Sequence, residues 1–233
     1  MRILVIPDIH LKTDIIDKAI TEMERGGYDN AVFLGDFVDD WGKQSNIGLY
    51  DAIFDHLDRF LDIYPDSLIC YGNHDISYVW KRLESGYSAL ARDTVVARLN
   101  DLYKSHGKDR WKFIHKVDNV LFSHAGLTKG FILTHFAYDT DSSIEHIIES
   151  TNAMPDNKLW DDASPIWARP GDGYYFYDKG FLQVVGHTPV RKASLYFDNL
   201  LVCDTFSTYS NGTPIGNCKF VEVDTITKEW REI

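Results

Sequence analysis

The chain has 233 residues, of which 44% are hydrophobic and 25% are charged, and its formal net charge at pH 7 is -11. This length can bury the core of one domain or of two small ones, and the composition is that of a globular protein, which excludes fibrous and disordered classes. The negative charge argues against duplex nucleic acid as a partner, because phosphate backbones attract Lys and Arg, although bound metal ions can reverse the field locally.

The cysteines and the hydropathy pattern indicate the cellular compartment of the protein. Cys70 and Cys203 each lie in an apolar run, and with Cys218 they form an odd set without zinc-like spacing. This pattern favours reduced thiols and predicts a cytoplasmic location. No apolar stretch approaches the length of a membrane span, so the sequence predicts no membrane partner.

The first half of the chain alternates between strand-like and helix-like patterns. Short runs of β-type apolar residues predict buried strands at residues 3–6, 31–34 and 67–71. Apolar residues at helical spacing predict helices at residues 14–25 and 47–64. This β-α-β-α-β order predicts a mostly parallel sheet with helices on its faces.

The second half reads mainly as strands and turns. A hairpin is predicted from residues 111–115 and 119–123, and further short strands are predicted at residues 181–186, 193–197, 200–203, 219–223 and 229–232. Residues 152–178 are rich in Pro, Gly, Asp and Trp and predict a long ordered loop or lid. No linker divides the chain, so we expect one domain over residues 1–233 with two packed sheets.

Five of the predicted strands end in a carboxylate, an amide or an imidazole. These side chains are Asp8 and His10 after the first strand, Asp36 after the second, Asn73 and His74 after the third, His124 after a fourth and His187 after a fifth. A single such residue is usually a helix cap or a hydrogen-bonded structural group. Five coincident strand ends instead indicate a ligand site, because ligands bind at this edge of an α/β sheet.

The chemistry of these side chains indicates divalent metals. Carboxylate and amide oxygens together with imidazole nitrogens suit manganese, iron or zinc. Two adjacent ions need a ligand that bridges them, which a carboxylate can provide, and such pairs catalyse phosphoester hydrolysis.

An ordered set of short motifs carries a family resemblance. The motifs are Asp8-Ile9-His10, Gly35-Asp36-Phe37-Val38-Asp39, Gly72-Asn73-His74-Asp75, Ser123-His124-Ala125-Gly126 and Gly186-His187-Thr188. The set resembles the calcineurin-like metallophosphoesterase superfamily, and within it the phosphoprotein phosphatase branch of serine/threonine phosphatases with its bacterial and phage relatives. The resemblance spans nearly the whole chain, including Val202-Cys203-Asp204-Thr205. It implies a four-layer α/β/β/α sandwich of two mixed sheets, with the metal site at the C-terminal strand ends.

The resemblance also implies roles for individual residues. One divalent metal would be held by Asp8, His10 and Asp36, and Asp36 would bridge to a second metal completed by Asn73, His124 and His187. Manganese is the expected metal, with iron, zinc or nickel as alternatives. His74 would be the general acid for the leaving oxygen, oriented by Asp39. Position 189 lacks the second His found in other relatives, which favours the phosphoprotein phosphatase branch.

Three positions either differ from the family pattern or bear on phosphate binding. Asp40-Trp41 stands where the pattern has Arg-Gly, so a phosphate-binding cation is missing there. Arg169 resembles the branch's other phosphate-binding Arg and could act alone through a bidentate contact, or it could only anchor its loop. Phe206 replaces a usual Gly.

The leading functional prediction is hydrolysis of phosphoserine or phosphothreonine in proteins. A nucleotide hydrolase, acting on a dinucleoside polyphosphate or a cyclic nucleotide, is the alternative enzyme, because a diester needs less charge neutralisation than a dianionic monoester. A non-catalytic phosphate-binding protein on the same fold is a third hypothesis. The expected partner is therefore a phosphorylated protein or a small phosphoester.

Overall fold

The computed structural model describes residues 1–136 and 143–233. Its strands are β1 (Arg2–Ile6), β2 (Asn30–Phe33), β3 (Leu68–Cys70), β4 (Trp111–Lys112), β5 (Ile114–Val117), β6 (Val120–Ser123), β7 (Leu182–Val185), β8 (Ser194–Tyr196), β9 (Leu200–Val202), β10 (Val221–Asp224) and β11 (Trp230–Glu232). Its α-helices are α1 (Thr13–Arg25), α2 (Ile47–Ile63), α3 (Asn73–Trp80), α4 (Arg92–His106), α5 (Lys129–Phe136), α6 (Ile144–Asn152) and α7 (Asp156–Leu159).

The strands form two mixed sheets. The six-stranded sheet has the order β11-β10-β1-β2-β3-β4, in which β1 to β4 are parallel and β10 and β11 are antiparallel to their neighbours. The five-stranded sheet has the order β5-β6-β7-β9-β8, with a parallel centre and antiparallel edge pairs. Two mixed sheets with helices confirm the predicted fold class.

The side chains of β1 alternate between two hydrophobic cores, one on each face of the first sheet. Ile3 and Val5 lie in the core between the two sheets, where they join Val184 of β7. Leu4 and Ile6 point to the other face and pack in the core that includes helices α1 and α2. Since side chains alternate between the two faces of a strand, one continuous apolar run supplies both cores.

The parallel arrangement of β1, β2 and β3 brings their C-terminal ends to one edge of the first sheet. In the second sheet, β6 and β7 also run parallel and end side by side. These five strand ends are the ones that carry the predicted site residues.

The structure corrects two features of the sequence prediction. Residues 111–115 do not form one strand: Trp111–Lys112 pairs with β3 in the first sheet, whereas Ile114–Val117 pairs with β6 in the second. Nothing in a continuous run of strand-forming residues marks a change of partner, so the division between sheets is invisible in the pattern. Helices α3 to α6 were also not predicted from the sequence.

Residues 152–178 contain little regular structure. They hold the short helix α7 and a 3-10 helix, Pro170–Asp172, and Phe176 forms an isolated bridge with Thr128. Ala168 and Phe176 lie in a small buried core with Val185 of β7, so this segment covers part of the second sheet. In the described ranges, no helix combines the length and apolar character needed to cross a membrane.

Candidate active site

Backbone hydrogen bonds join the loops that follow β1 and β2. The N–H groups of Ile9 and His10 both donate to the carbonyl oxygen of Asp36, at 3.0 and 2.9 Å. His10, Asp36 and Asp39 all have left-handed backbone conformations, with φ of 48°, 53° and 65°. Such conformations are uncommon for residues other than glycine and concentrate at functional sites. The geometry therefore presents these side chains at a cost in backbone strain.

His187 is held from the other sheet. Its backbone also has a positive φ, of 60°, and its N–H donates to both carboxylate oxygens of Asp8 at 2.8 Å. The preceding residue must be glycine, because a Cβ at Gly186 would lie 2.5 Å from Asp8 Oδ1. Asp8 thus links the end of β1 to the end of β7.

The three histidines assigned to metals each have one ring nitrogen hydrogen-bonded to a backbone carbonyl oxygen. The partners are Asp39 for His10 Nδ1 at 2.8 Å, Leu34 for His124 Nδ1 at 2.8 Å and Trp167 for His187 Nε2 at 3.0 Å. A carbonyl can only accept, so each of these nitrogens carries the proton. In the neutral ring the other nitrogen keeps its lone pair, which is the tautomer that a metal ligand needs.

Four atoms that could bind a metal lie close together around His124 Nε2. The Nε2 atom lies 2.8 Å from Asn73 Oδ1, 3.1 Å from His187 Nδ1 and 3.3 Å from Asp36 Oδ2. In the neutral tautomer with its proton on Nδ1, His124 turns the lone pair of Nε2 towards these three atoms. Buried acceptors in this arrangement fit a shared cation, and oxygen with imidazole nitrogen suits a divalent transition metal.

A second group shares Asp36. Ligand atoms of His10, Asp36 and His74 lie within 4.8 Å of one another, and the same is true of Asp36, His124 and His187, so each group could hold a metal ion. His10 Nε2 is 3.9 Å from Asp36 Oδ2. Among the described residues, Asp8 belongs to neither group; its carboxylate faces the His187 N–H instead. The donor set fits two divalent ions with Asp36 between them.

Charge and burial adjust the protonation of these groups. Burial alone would raise the pKa of Asp36, but His124 and His74 hold it well below its usual range. Burial lowers the pKa of His10 to about 4 and that of His187 well below its ordinary value. An ionised Asp36 together with neutral His10 and His187 is the protonation state in which these groups bind metal.

His74 lies between two carboxylates. Its Nδ1 donates to Asp39 Oδ2 at 3.1 Å, and its Nε2 lies 3.3 Å from Glu84 Oε1. Asp39 also accepts from the hydroxyls of Tyr50, at 2.9 Å, and Tyr78. Burial opposes protonation of His74, but Asp36, Asp39 and Glu84 raise its pKa to about 9. The ring is therefore oriented by Asp39 and carries a proton on the side of Glu84.

Asp75 fixes the two loops that carry the predicted ligands. Its carboxylate accepts from the backbone N–H groups of Asp36 at 2.7 Å, Phe37 at 2.8 Å and Gly72 at 3.2 Å. Burial and the nearby Asp36 raise its pKa to about 7. Asp75 belongs to one of the short motifs, but no sequence signal predicts this role for a lone acidic residue. Glu84 lies outside the motifs and has no sequence signal either.

One cleft gives access to these groups. It is lined by His10, Asp36, Asp39 and His74, by the cations Lys12 and Arg169, and by rim residues that include Asp40, Trp41 and Thr208. Arg169 Nη1 donates to the carbonyl oxygen of His187 at 2.8 Å, which places its guanidinium beside the predicted ligand. The structure thus brings the nine predicted site residues to one region. Phe206 is buried and packs against Phe220, away from the cleft lining.

Solved structures with similar folds include three that align with the whole chain. One, described as a novel archaeal phosphodiesterase, is 18% identical, is 99% covered and has a TM-score of 0.45. A metallophosphoesterase from Sphaerobacter thermophilus is 13% identical, 86% covered, with a TM-score of 0.46. A protein of Thermus thermophilus is 12% identical, 97% covered, with a TM-score of 0.49. No curated protein matches the chain.

The family assignment comes from the sequence as a whole. The family model described as calcineurin-like phosphoesterase matches residues 1–214, which is most of the chain. The chain therefore belongs to the calcineurin-like phosphoesterase family and is a metal-dependent phosphoester hydrolase.

Proposed function

We propose that the protein is a phosphomonoesterase of the serine/threonine phosphatase type, acting on phosphoserine or phosphothreonine in proteins with two manganese ions. The observation that carries this proposal is the arrangement of Asp39, His74 and Asp36 in one cleft. It supports a proton donor held beside Asp36, the carboxylate that both candidate metal groups share.

The chain's own residues account for the proton transfer. When bound, two divalent ions would activate a water molecule and neutralise charge on the phosphoryl oxygens. His74 transfers its Nε2 proton to the leaving oxygen as the phosphorus–oxygen bond breaks, and it keeps the proton on Nδ1, which donates a hydrogen bond to Asp39. The leaving oxygen replaces Glu84 as the neighbour of Nε2. Arg169 offers guanidinium donors to the phosphate from the rim of the cleft.

A leaving-group comparison tests the role of His74. Phosphoserine and phenyl phosphate release poor leaving groups that need a proton, whereas p-nitrophenyl phosphate releases a good one. We expect His74→Asn to lower kcat about 10²- to 10⁴-fold for the phosphoserine peptide and much less for p-nitrophenyl phosphate. His146→Ala, at an exposed position of α6, is the control. An equal loss for both substrates would contradict the acid role.

A nucleotide hydrolase is the second candidate, and Trp41 favours it. The indole is 56% exposed at the rim of the cleft, and its Nε1–H donates to the carbonyl oxygen of Thr208 at 3.0 Å, which fixes the ring. A fixed aromatic face can stack on a nucleobase. Rates on a phosphoserine peptide, a dinucleoside tetraphosphate and bis-p-nitrophenyl phosphate separate the two candidates, since a phosphatase prefers the peptide.

We also propose a cytoplasmic location. Cys70 and Cys203 are buried free thiols, which supports a reducing compartment. Cell fractionation with an antibody to the chain tests this location, and recovery outside the cytoplasm would contradict it.

A further inference from the structure

Lys12 places an ammonium group in the catalytic cleft. The residue follows His10 on the loop after β1, and its side chain is 21% exposed. It lines the cleft together with Asp36 and Arg169. A lysine normally extends into solvent, so this position brings a positive charge to the space in front of the predicted metal ligands.

The contacts of this ammonium group leave it able to bind a ligand. Lys12 Nζ is 3.8 Å from Asp40 Oδ1 and 3.5 Å from the carbonyl oxygen of His10. Charge-assisted hydrogen bonds of this kind are about 2.7–2.9 Å long. Both contacts are longer, so the ammonium is attracted towards Asp40, and beyond its long hydrogen bond to the His10 carbonyl oxygen it has two further N–H donors for a ligand.

Lys12 and Asp40 are held side by side by the backbone. Leu11 N–H donates to the carbonyl oxygen of Phe37 at 2.8 Å, which ties the loop after β1 to the loop after β2. Position 40 carries a carboxylate where the resemblance leads one to expect an arginine. Lys12, in the neighbouring loop, brings a cation to the same part of the cleft and offsets the negative charge of that carboxylate.

We propose that Lys12 binds a non-bridging phosphate oxygen and, with Arg169, makes the cleft selective for phosphate monoesters over diesters. The inference rests on the proposed function. A monoester dianion carries one more negative charge than a diester, so it gains more from a second cation in a partly buried cleft. Lys12 supplies the second positive charge as a point charge on a flexible side chain, without the bidentate geometry of Arg.

Binding of inorganic phosphate tests the assignment without turnover. Phosphate is titrated calorimetrically into manganese-loaded wild type, Lys12→Ala, Lys12→Arg and the control Lys18→Ala, whose side chain is 57% exposed and pairs with Asp14. We expect Lys12→Ala to weaken phosphate binding by about 10- to 100-fold, the loss of one charged hydrogen bond. Lys12→Arg keeps the charge and is expected to bind within a few-fold of wild type.

Kinetics on two substrates then test selectivity. Lys12→Ala is expected to lower the ratio of kcat/KM for p-nitrophenyl phosphate to that for bis-p-nitrophenyl phosphate by about tenfold or more. The double variant Lys12→Ala/Asp40→Arg is expected to recover the ratio, because the new guanidinium lies in the same part of the cleft.

The outcomes separate this inference from the proposed function. The inference is overturned if Lys12→Ala binds phosphate as tightly as Lys18→Ala. It is also overturned if Lys12→Arg binds phosphate as weakly as Lys12→Ala. Either result counts against it even when the wild type hydrolyses monoesters. Lys12-dependent phosphate binding in a protein that prefers diesters supports phosphate contact but overturns the selectivity, and with it the proposed phosphomonoesterase function.

Discussion

The Nε2 atom of His124 lies 3.1 Å from the Nδ1 atom of His187. Both rings use their other nitrogen to donate to a backbone carbonyl oxygen, of Leu34 and Trp167 respectively. In the neutral rings, the two facing nitrogens carry lone pairs, and a divalent cation near both would offset their repulsion. We therefore expect a bound metal to stabilise this arrangement.

Metal binding should stabilise the fold measurably. A ligand present at 100 times its dissociation constant contributes about 2.7 kcal/mol of stability, so manganese should raise the Tm of metal-stripped protein. His124→Ala removes one lone pair from the cluster and should lose most of this increase. His146→Ala, on the exposed face of α6, should keep it. The same manganese-dependent shift in both variants, measured by differential scanning calorimetry, would contradict the assignment.

Asp75 should be important for stability as well as for the site. In Asp75→Asn, an amide NH₂ replaces an oxygen that faces the N–H groups of Asp36, Phe37 and Gly72. Loss of one hydrogen bond to a charged acceptor should lower the free energy of unfolding by about 1.5–3 kcal/mol. Urea unfolding of metal-free protein measures the change. The exposed position Asp51, as Asp51→Asn, is the control, and an equal effect of both variants would refute the role.

Gly186 should not tolerate a side chain. A Cβ there would lie 2.5 and 2.7 Å from the two oxygens of Asp8, so Gly186→Ala must displace either Asp8 or His187. Overpacking of this kind costs about 1–3 kcal/mol of unfolding free energy, and here it should also weaken metal binding. Gly171→Ala is the matched control, because no atom lies within 4 Å of its Cβ position. Normal manganese affinity in Gly186→Ala would contradict the prediction.

His115 should make stability fall with decreasing pH. Burial lowers its pKa to about 4 in the folded chain, while an unfolded histidine has a pKa of about 6.5. Between these values the unfolded chain binds the extra proton, so the contribution of His115 to stability is complete above pH 6.5 and decreases as the pH falls to 4, by up to about 3 kcal/mol.

The difference between wild type and His115→Gln isolates this effect. Unfolding free energies of metal-free protein are measured by urea titration from pH 7 to pH 4.5. The wild type should lose more stability than His115→Gln across this range, while the exposed-site variant His146→Gln should follow the wild type. Parallel curves for all three proteins would show that His115 does not titrate as described.

The sequence predicted the strand-end residues because parallel strands bring their C-terminal ends together whatever the loops do. Asp36 and His124 follow strands of different sheets, so the rule places each at its own sheet edge, and the packing of the two sheets brings their side chains to 3.3 Å. Glu84 could not be predicted in the same way. Its position beside His74 depends on how the segment after α3 folds back over the cleft, which no periodicity records. Lys12 likewise looks like a solvated residue before a helix until the loops are placed.

We propose that Asp36 bridges two divalent metal ions in the hydrolysis of a phosphate ester. Metal content by mass spectrometry and p-nitrophenyl phosphate turnover are measured on the same samples of wild type and Asp36→Asn. We expect about two manganese ions per wild-type chain, as in other two-metal sites, and turnover that requires them. Asp36→Asn should lose at least one ion and nearly all turnover. Retention of both ions and of wild-type turnover in Asp36→Asn would show that this carboxylate does not bridge a catalytic metal pair.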